Sequence, residues 1–195
     1  SAEIENDTVL NDLVRDPQIA KRDYQFVHYD SRDPRGIDVA LIYNPQYFTL
    51  ESSRPLYIKL PKDSKDAFYT RDILWITGSL GGEHVDIFVN HWPSRYGGEK
   101  RSAPGRYAAA EAARKKINEL MQEFPNDKIV LMGDLNDDPV NESVTKYLYA
   151  GGNVKDLQPG ELYNPWVDFY KKGMGTLAYQ DAWSLFDQII LSQSW

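Results

Sequence analysis

Residues 103–132 restrict the fold more than any other stretch of the chain. Tyr107, Ala110, Ala113, Ile117, Leu120 and Phe124 recur every three or four residues, the spacing of one helical face. Ser102 can cap such a helix, Pro104 suits its first turn and Pro125 ends it. The run Lys128-Ile129-Val130-Leu131-Met132 follows at once and is bounded by Gly133. A short apolar run of this kind reads as a strand buried on both faces. A helix leading into such a strand marks a chain of mixed α and β structure.

The remaining pattern agrees. Residues 7–15 put Val9, Leu10, Leu13 and Val14 on one helical face, with Asn6 or Asp7 as cap and Pro17 as stop. Strands are expected at 37–43, 56–60, 73–77, 84–90 and 185–191, with Gly81-Gly82 as a hairpin turn. Residues 150–180 are rich in Gly and Pro and read as loops. No internal repeat interrupts this order, and 195 residues suit one domain with a core of its own.

Composition removes several classes of function. There is no cysteine, so disulfide scaffolds, cysteine nucleophiles and thiolate zinc sites are excluded. Either redox compartment remains open. Twenty-two Lys and Arg against 29 Asp and Glu give a net charge of −7, which argues against a broad basic surface for nucleic acid. It leaves room for an enzyme that touches a few phosphates. Mean hydropathy is −0.57 and no apolar run approaches the roughly 20 residues of a membrane span. No signal peptide is visible, and soluble, secreted and periplasmic settings all stay open. No obligate protein partner is evident.

Five polar clusters interrupt the elements. Asp134 and Asn136 follow the apolar strand in Gly133-Asp134-Leu135-Asn136-Asp137-Asp138, on one side of the chain. Asp134 could take a proton from water or hold a metal, and Asn136 could donate to a phosphoryl oxygen. A polar turn after a buried strand explains the same residues equally well. Asn90-His91-Trp92-Pro93-Ser94-Arg95 ends another strand, with His91 as an acid or anion donor and Arg95 as a phosphate fork. Taken alone, an ordinary strand end is favoured. Glu3 and Glu5 in Glu3-Ile4-Glu5-Asn6 are carboxylates for a metal or for a helix start. Arg35-Gly36-Ile37-Asp38 is a turn whose arginine could reach a phosphate. Asp187 sits in the apolar run 185–191, where a buried carboxylate requires a partner.

Together with the Ser102–Arg106 spacing, the order of these motifs resembles the endonuclease/exonuclease/phosphatase superfamily. The likeness spans essentially the whole chain and leans toward bacterial members. It implies a four-layer α/β/β/α sandwich of the DNase I type, with a site at one end of two sheets. It implies that Glu3 binds a divalent metal, Mg²⁺ or Mn²⁺, that His91 contacts phosphate and serves as an acid, and that Asp134 activates water. Asn136 would contact the phosphate and Asp187 would hold a catalytic histidine. Arg35, Arg95 and Arg106 would bind substrate or support the site. The implied activity is phosphoester hydrolysis of phosphodiesterase or nuclease type, on nucleic acid or a small phosphorylated molecule. A phosphomonoesterase acting on sugar or inositol phosphates is the alternative.

The family pattern also includes an Asn-bearing strand before the metal Glu and a Ser-Asp-His stretch after the last strand. Neither occurs in residues 1–195, which are therefore expected to be one domain trimmed at both ends and weakly active or inactive in this form. A calcineurin-like metallophosphatase would share Gly133, Asp134 and Asp137 but needs histidines beyond His91. A binding module of the same fold, without catalysis, is the reading from a different class. Tyr163, Trp166, Phe169 and Tyr170 could stack on bases, touch lipid or pack their loop.

Overall fold

The computed structural model describes residues 1–61 and 70–195. It stacks four layers. The outermost is helix α1 (Asp7–Arg15), whose Asn6 side chain accepts from the Val9 N–H at 3.1 Å. Beneath it lies a sheet of β1 (Ala2–Ile4), β3 (Asp38–Tyr43) and β2 (Gln25–His28), in that order. The next layer is a seven-stranded sheet. Its strands are β4 (Phe48–Leu56), β5 (Ile73–Leu80), β6 (Glu83–His91), β7 (Lys128–Asp134), β8 (Ala150–Gly151), β9 (Leu162–Tyr163) and β12 (Asp187–Leu191). Their spatial order is β4-β5-β6-β7-β12-β9-β8. Helix α2 (Glu99–Glu123) covers the far face. Helix α3 (Trp166–Lys171) and a hairpin of β10 (Leu177–Tyr179) and β11 (Ala182–Ser184) complete the described residues. The α+β fold and the four layers are those expected from the sequence.

Strand alternation sorts the side chains between layers. On β7, Ile129 and Leu131 point toward α2, whereas Val130 and Met132 point into the space between the sheets. On β3, Val39 and Leu41 enter that space, and Ala40 and Ile42 meet Leu10 of α1. Ala109, Ala110 and Ala113 bring α2 close to the large sheet, where Ile117 and Leu120 pack on Phe88 and Trp75. Gly81 and Gly82, both at positive φ, form the two-residue turn between β5 and β6.

Several expectations shift. Helix α2 starts at Glu99, four residues early. Ser102 does not cap it; its hydroxyl donates to the Gly98 carbonyl at 2.9 Å, and Pro104 lies inside the helix. Phe124 is exposed past the helix end instead of packing on its inner face. The strand expected at 56–60 lies mostly earlier, as β4, and β2 was not foreseen. Among the described residues, no helix is long and apolar enough to cross a membrane.

Candidate active site

The large sheet brings three distant residues into one row. Strand β6 runs parallel to β7 and pairs His91 with Asp134. Strand β12 runs antiparallel to β7 and pairs Asp187 with Asp134. Strand neighbours lie about 4.8 Å apart, so His91, Asp134 and Asp187 span one end of the sheet on the face toward the small sheet. His91 Nε2 is 3.7 Å from Asp134 Oδ2.

Local backbone sets the aim of these groups. Gly133 has a φ of +127°, and a Cβ there would lie 2.0 Å from the Asn90 carbonyl oxygen. No other residue fits before Asp134. Asn136 has a φ of +50°, and its backbone N–H donates to Asp134 Oδ1 at 2.8 Å. Opposite, on the small sheet, a bulge inserts one residue into β1 between Ala2 and Ile4. That residue is Glu3, held at a φ of +61°. Backbone of this kind in non-glycine residues persists only where the surroundings enforce it, and it gathers at functional sites. Glu3 bears electrostatically on Asp134.

Charges explain the protonation states. Burial raises the pKa of Asp134; the Asn136 N–H lowers it, Asp187 raises it, Arg71 lowers it and Glu3 raises it. His91 is 4% exposed, and burial, then Arg71 and Arg35, bring its pKa down to about 4. Its imidazole is therefore neutral near pH 7, and the buried Nδ1 has no hydrogen-bond partner. A neutral imidazole can donate an N–H to an anionic oxygen.

The arginines divide in two. Arg35 is more than half exposed and lies near enough to His91 to act on its charge. Arg95 and Arg106, expected as substrate contacts or supports, are both engaged by carboxylates of the turn after β7. Arg106 is fully buried, paired with Asp137 at 2.8 Å and donating to the Ser102 hydroxyl and the Glu99 carbonyl. Arg95 donates to the Asn136 carbonyl at 2.9 Å, and to Asp137, Asp138 and Asn141, and stacks over Phe186. Both guanidinium groups clamp the turn after β7. Asn136 is part of that frame too, since its Nδ2 donates to the Trp92 carbonyl at 2.9 Å.

Asp187 departs from expectation in burial. It opens β12 and is exposed, so no partner is required to offset desolvation. Its backbone N–H donates to Thr176 Oγ1 at 3.2 Å. Among the described residues no histidine pairs with its carboxylate.

Sequence reasoning passed over Arg71 and Asp33. Arg71 is buried, donates to the His91 carbonyl at 3.1 Å and the Trp92 carbonyl at 2.6 Å, and pairs with Asp33 Oδ2 at 2.9 Å. Asp33 also accepts from the Arg35 backbone at 2.9 Å. Only charged residues beside an apolar strand start, Arg71-Asp72-Ile73, hinted at this frame. Of the aromatics expected in the 150–180 loop, Trp166 and Phe169 pack on each other. The more exposed rings, Tyr179 and Trp183, stand on the β10–β11 hairpin.

Known proteins share this architecture. Truncated Caenorhabditis elegans TDP2 superposes with a TM-score of 0.61 at 19% identity, covering 98% of this chain and 68% of that one. ANGEL2, a 2',3'-cyclic phosphatase, gives 0.67 at 11%, covering 98% and 68%. A mannosyl-6-phosphatase of Bacteroides thetaiotaomicron gives 0.65 at 18%, covering 99% and 70%. The chain spans 53% of the longer C. elegans TDP2 chain. No curated protein matches by sequence. The family model described as the Endonuclease/Exonuclease/phosphatase family matches residues 1–195. A layered fold of this type, carrying its carboxylates at one end of two sheets and matched along its whole length, belongs to the endonuclease/exonuclease/phosphatase family.

Proposed function

We propose that residues 1–195 form a single domain of a phosphoester hydrolase, with a phosphodiester of nucleic-acid type as substrate. The observation that carries this reading is the row His91–Asp134–Asp187 facing Glu3 across the sheets.

Asp134 orients the attacking water and accepts its proton. Desolvation and two neighbouring carboxylates raise its affinity for that proton. Neutral His91 donates to a phosphoryl oxygen, and exposed Arg35 adds a cationic fork. Asn136 keeps Asp134 aimed through its backbone N–H.

The donor type suits a divalent cation. Glu3 and Asp187 both act on Asp134 as like charges, and oxygen donors of this type suit Mg²⁺ or Mn²⁺. Glu3 would hold the ion. When bound, it supplies positive charge to the phosphoryl group and the departing oxygen.

The exposed hairpin favours nucleic acid over a small sugar phosphate. Thr176, which receives the Asp187 N–H, immediately precedes β10, so Tyr179 and Trp183 stand on the element adjoining the site. Rings so placed stack on unpaired bases, each stacking worth about 1–3 kcal/mol. Few phosphate contacts and a net charge of −7 suit single strands more than tight duplex binding. The test is Mn²⁺-dependent cleavage of single-stranded DNA, a chromogenic diester, mannose 6-phosphate and inositol phosphates, with Asp134→Ala as control. Diester cleavage lost in the control supports the proposal. Cleavage of the monoesters alone transfers it to the phosphatase alternative, and metal binding without any hydrolysis to the binding module.

A further inference from the structure

The opposite end of β6 carries a second set of ligating side chains. His84 and Asp86 are two residues apart on β6 and so lie on one face of the strand. Asp127 comes from the turn between α2 and β7, directly before Lys128, whose register partner is Val85. One ligand atom from each of the three lies within 4.8 Å of the others. His84 Nε2 is 3.7 Å from Asp86 Oδ2 and 3.6 Å from Asp127 Oδ2. These distances exceed a hydrogen bond. They are close to the edge, about 3.3–3.6 Å, of a tetrahedron built on metal bonds of roughly 2.0–2.2 Å.

Asp86 supplies an independent sign of a ligand. Its side chain is fully buried, yet Oδ2 has no hydrogen-bond partner and is directed at this group. A buried carboxylate oxygen without a partner is costly. Its other oxygen is fixed by the Trp75 indole N–H at 2.7 Å. On the other side of the imidazole, the Glu51 carboxylate lies 3.6 Å from His84 Nδ1, longer than a hydrogen bond. Lys116 also acts on Asp86 from α2, but its ammonium lies 4.1 Å from the Trp75 ring centroid.

We propose that His84 Nε2, Asp86 Oδ2 and Asp127 Oδ2 form a structural site for one divalent transition-metal ion of the zinc class. One imidazole and two carboxylates are borderline-to-hard donors that suit Zn²⁺ or Co²⁺. The site lies seven residues along β6 from His91, about 23 Å at strand rise, and does not depend on the catalytic reading. Its ion joins the β5–β6 hairpin to the turn after α2. His84 is 40% exposed, which leaves a coordination position open to water.

The experiment uses the Asp134→Asn variant as background, in millimolar Mg²⁺, titrated calorimetrically with Zn²⁺ and followed in parallel by Co²⁺ absorption and melting temperature. The expected result is one Zn²⁺ per chain, a rise in melting temperature and a tetrahedral cobalt spectrum. Adding His84→Ala or, separately, Asp127→Asn should weaken binding at least tenfold, while circular dichroism of the metal-free variants stays unchanged. Absence of Zn²⁺ binding in the background variant overturns the proposal. So does binding that survives both added substitutions, which would leave His84 as a surface imidazole among carboxylates. Should one variant fail to fold, the other decides.

Discussion

The Cα of Gly133 faces the Asn90 carbonyl so closely that any Cβ there would sit 2.0 Å from its oxygen. The backbone at Gly133 is also at a φ of +127°, a region that L side chains rarely adopt. Gly133→Ala combines strain with overpacking between two central strands and is expected to cost about 3 kcal/mol or more. Urea unfolding measures the loss, and hydrolysis should fall further than stability because Asp134 is the next residue.

Asp134→Asn should separate stability from activity. Burial and nearby carboxylates raise the pKa of Asp134, so its charged form is disfavoured in the folded chain. That destabilisation is present at neutral pH and is relieved as pH falls through the folded-state pKa. An amide keeps the acceptor for the Asn136 N–H and removes the charge. In metal-free buffer at pH 7 the variant should melt at a higher temperature than the parent, while diester cleavage falls at least a hundredfold. A lower melting temperature would show that the carboxylate stabilises the fold.

His91 should impose an acid limit on stability. Its folded-state pKa is about 4, against 6.5 for a free imidazole. The unfolded chain takes up a proton below pH 6.5 and the folded chain does not until about pH 4. Stability from this group is thus complete above pH 6.5 and is lost as pH falls toward 4. A shift of this size corresponds to about 3 kcal/mol. Denaturant midpoints measured from pH 7.5 to 4 should decline, and His91→Gln should flatten the decline.

The arginines should respond differently to substitution. Arg35→Ala removes an exposed fork and is expected to raise KM severalfold with little change in melting temperature. Arg106→Met leaves Asp137 buried with one cationic partner fewer, and loss of a buried partner costs about 3–5 kcal/mol. Reduced activity in the Arg106 variant should track its folded fraction. A KM effect in a fully folded Arg106 variant would restore it as a substrate contact.

The parts of the fold legible in the sequence were those whose signal is local. Val130 and Met132 on one face and Ile129 and Leu131 on the other made β7 recognisable as doubly buried. The two glycines at 81 and 82 marked a tight turn before any pairing was known. Strand β4 was missed because Thr49, Glu51, Ser52, Ser53 and Arg54 occupy an edge strand with much of its surface in solvent. The start of α2 was misplaced because its first turn closes through Ser102 N–H on Gly98, without a side-chain cap. In the site, Asp134 and His91 were visible as polar residues at strand ends. Arg71 was not, since its place behind His91 depends on a chain crossing 20 residues away in sequence. The partners of Arg95 and Arg106 were hidden for a related reason. Sequence shows a guanidinium but not the carboxylates of Asp137 and Asp138 that occupy it.

Of the three site carboxylates, Glu3 belongs to the small sheet, and Asp134 and Asp187 belong to the large one. The spacing between them is therefore set by the layer formed by Val39 and Leu41 against Val85 and Val89. On the proposed reading, apolar side chains of the core set the width of the active site. Trimming Val89 to Ala would act on turnover as a change of calibre, with every catalytic group still in place.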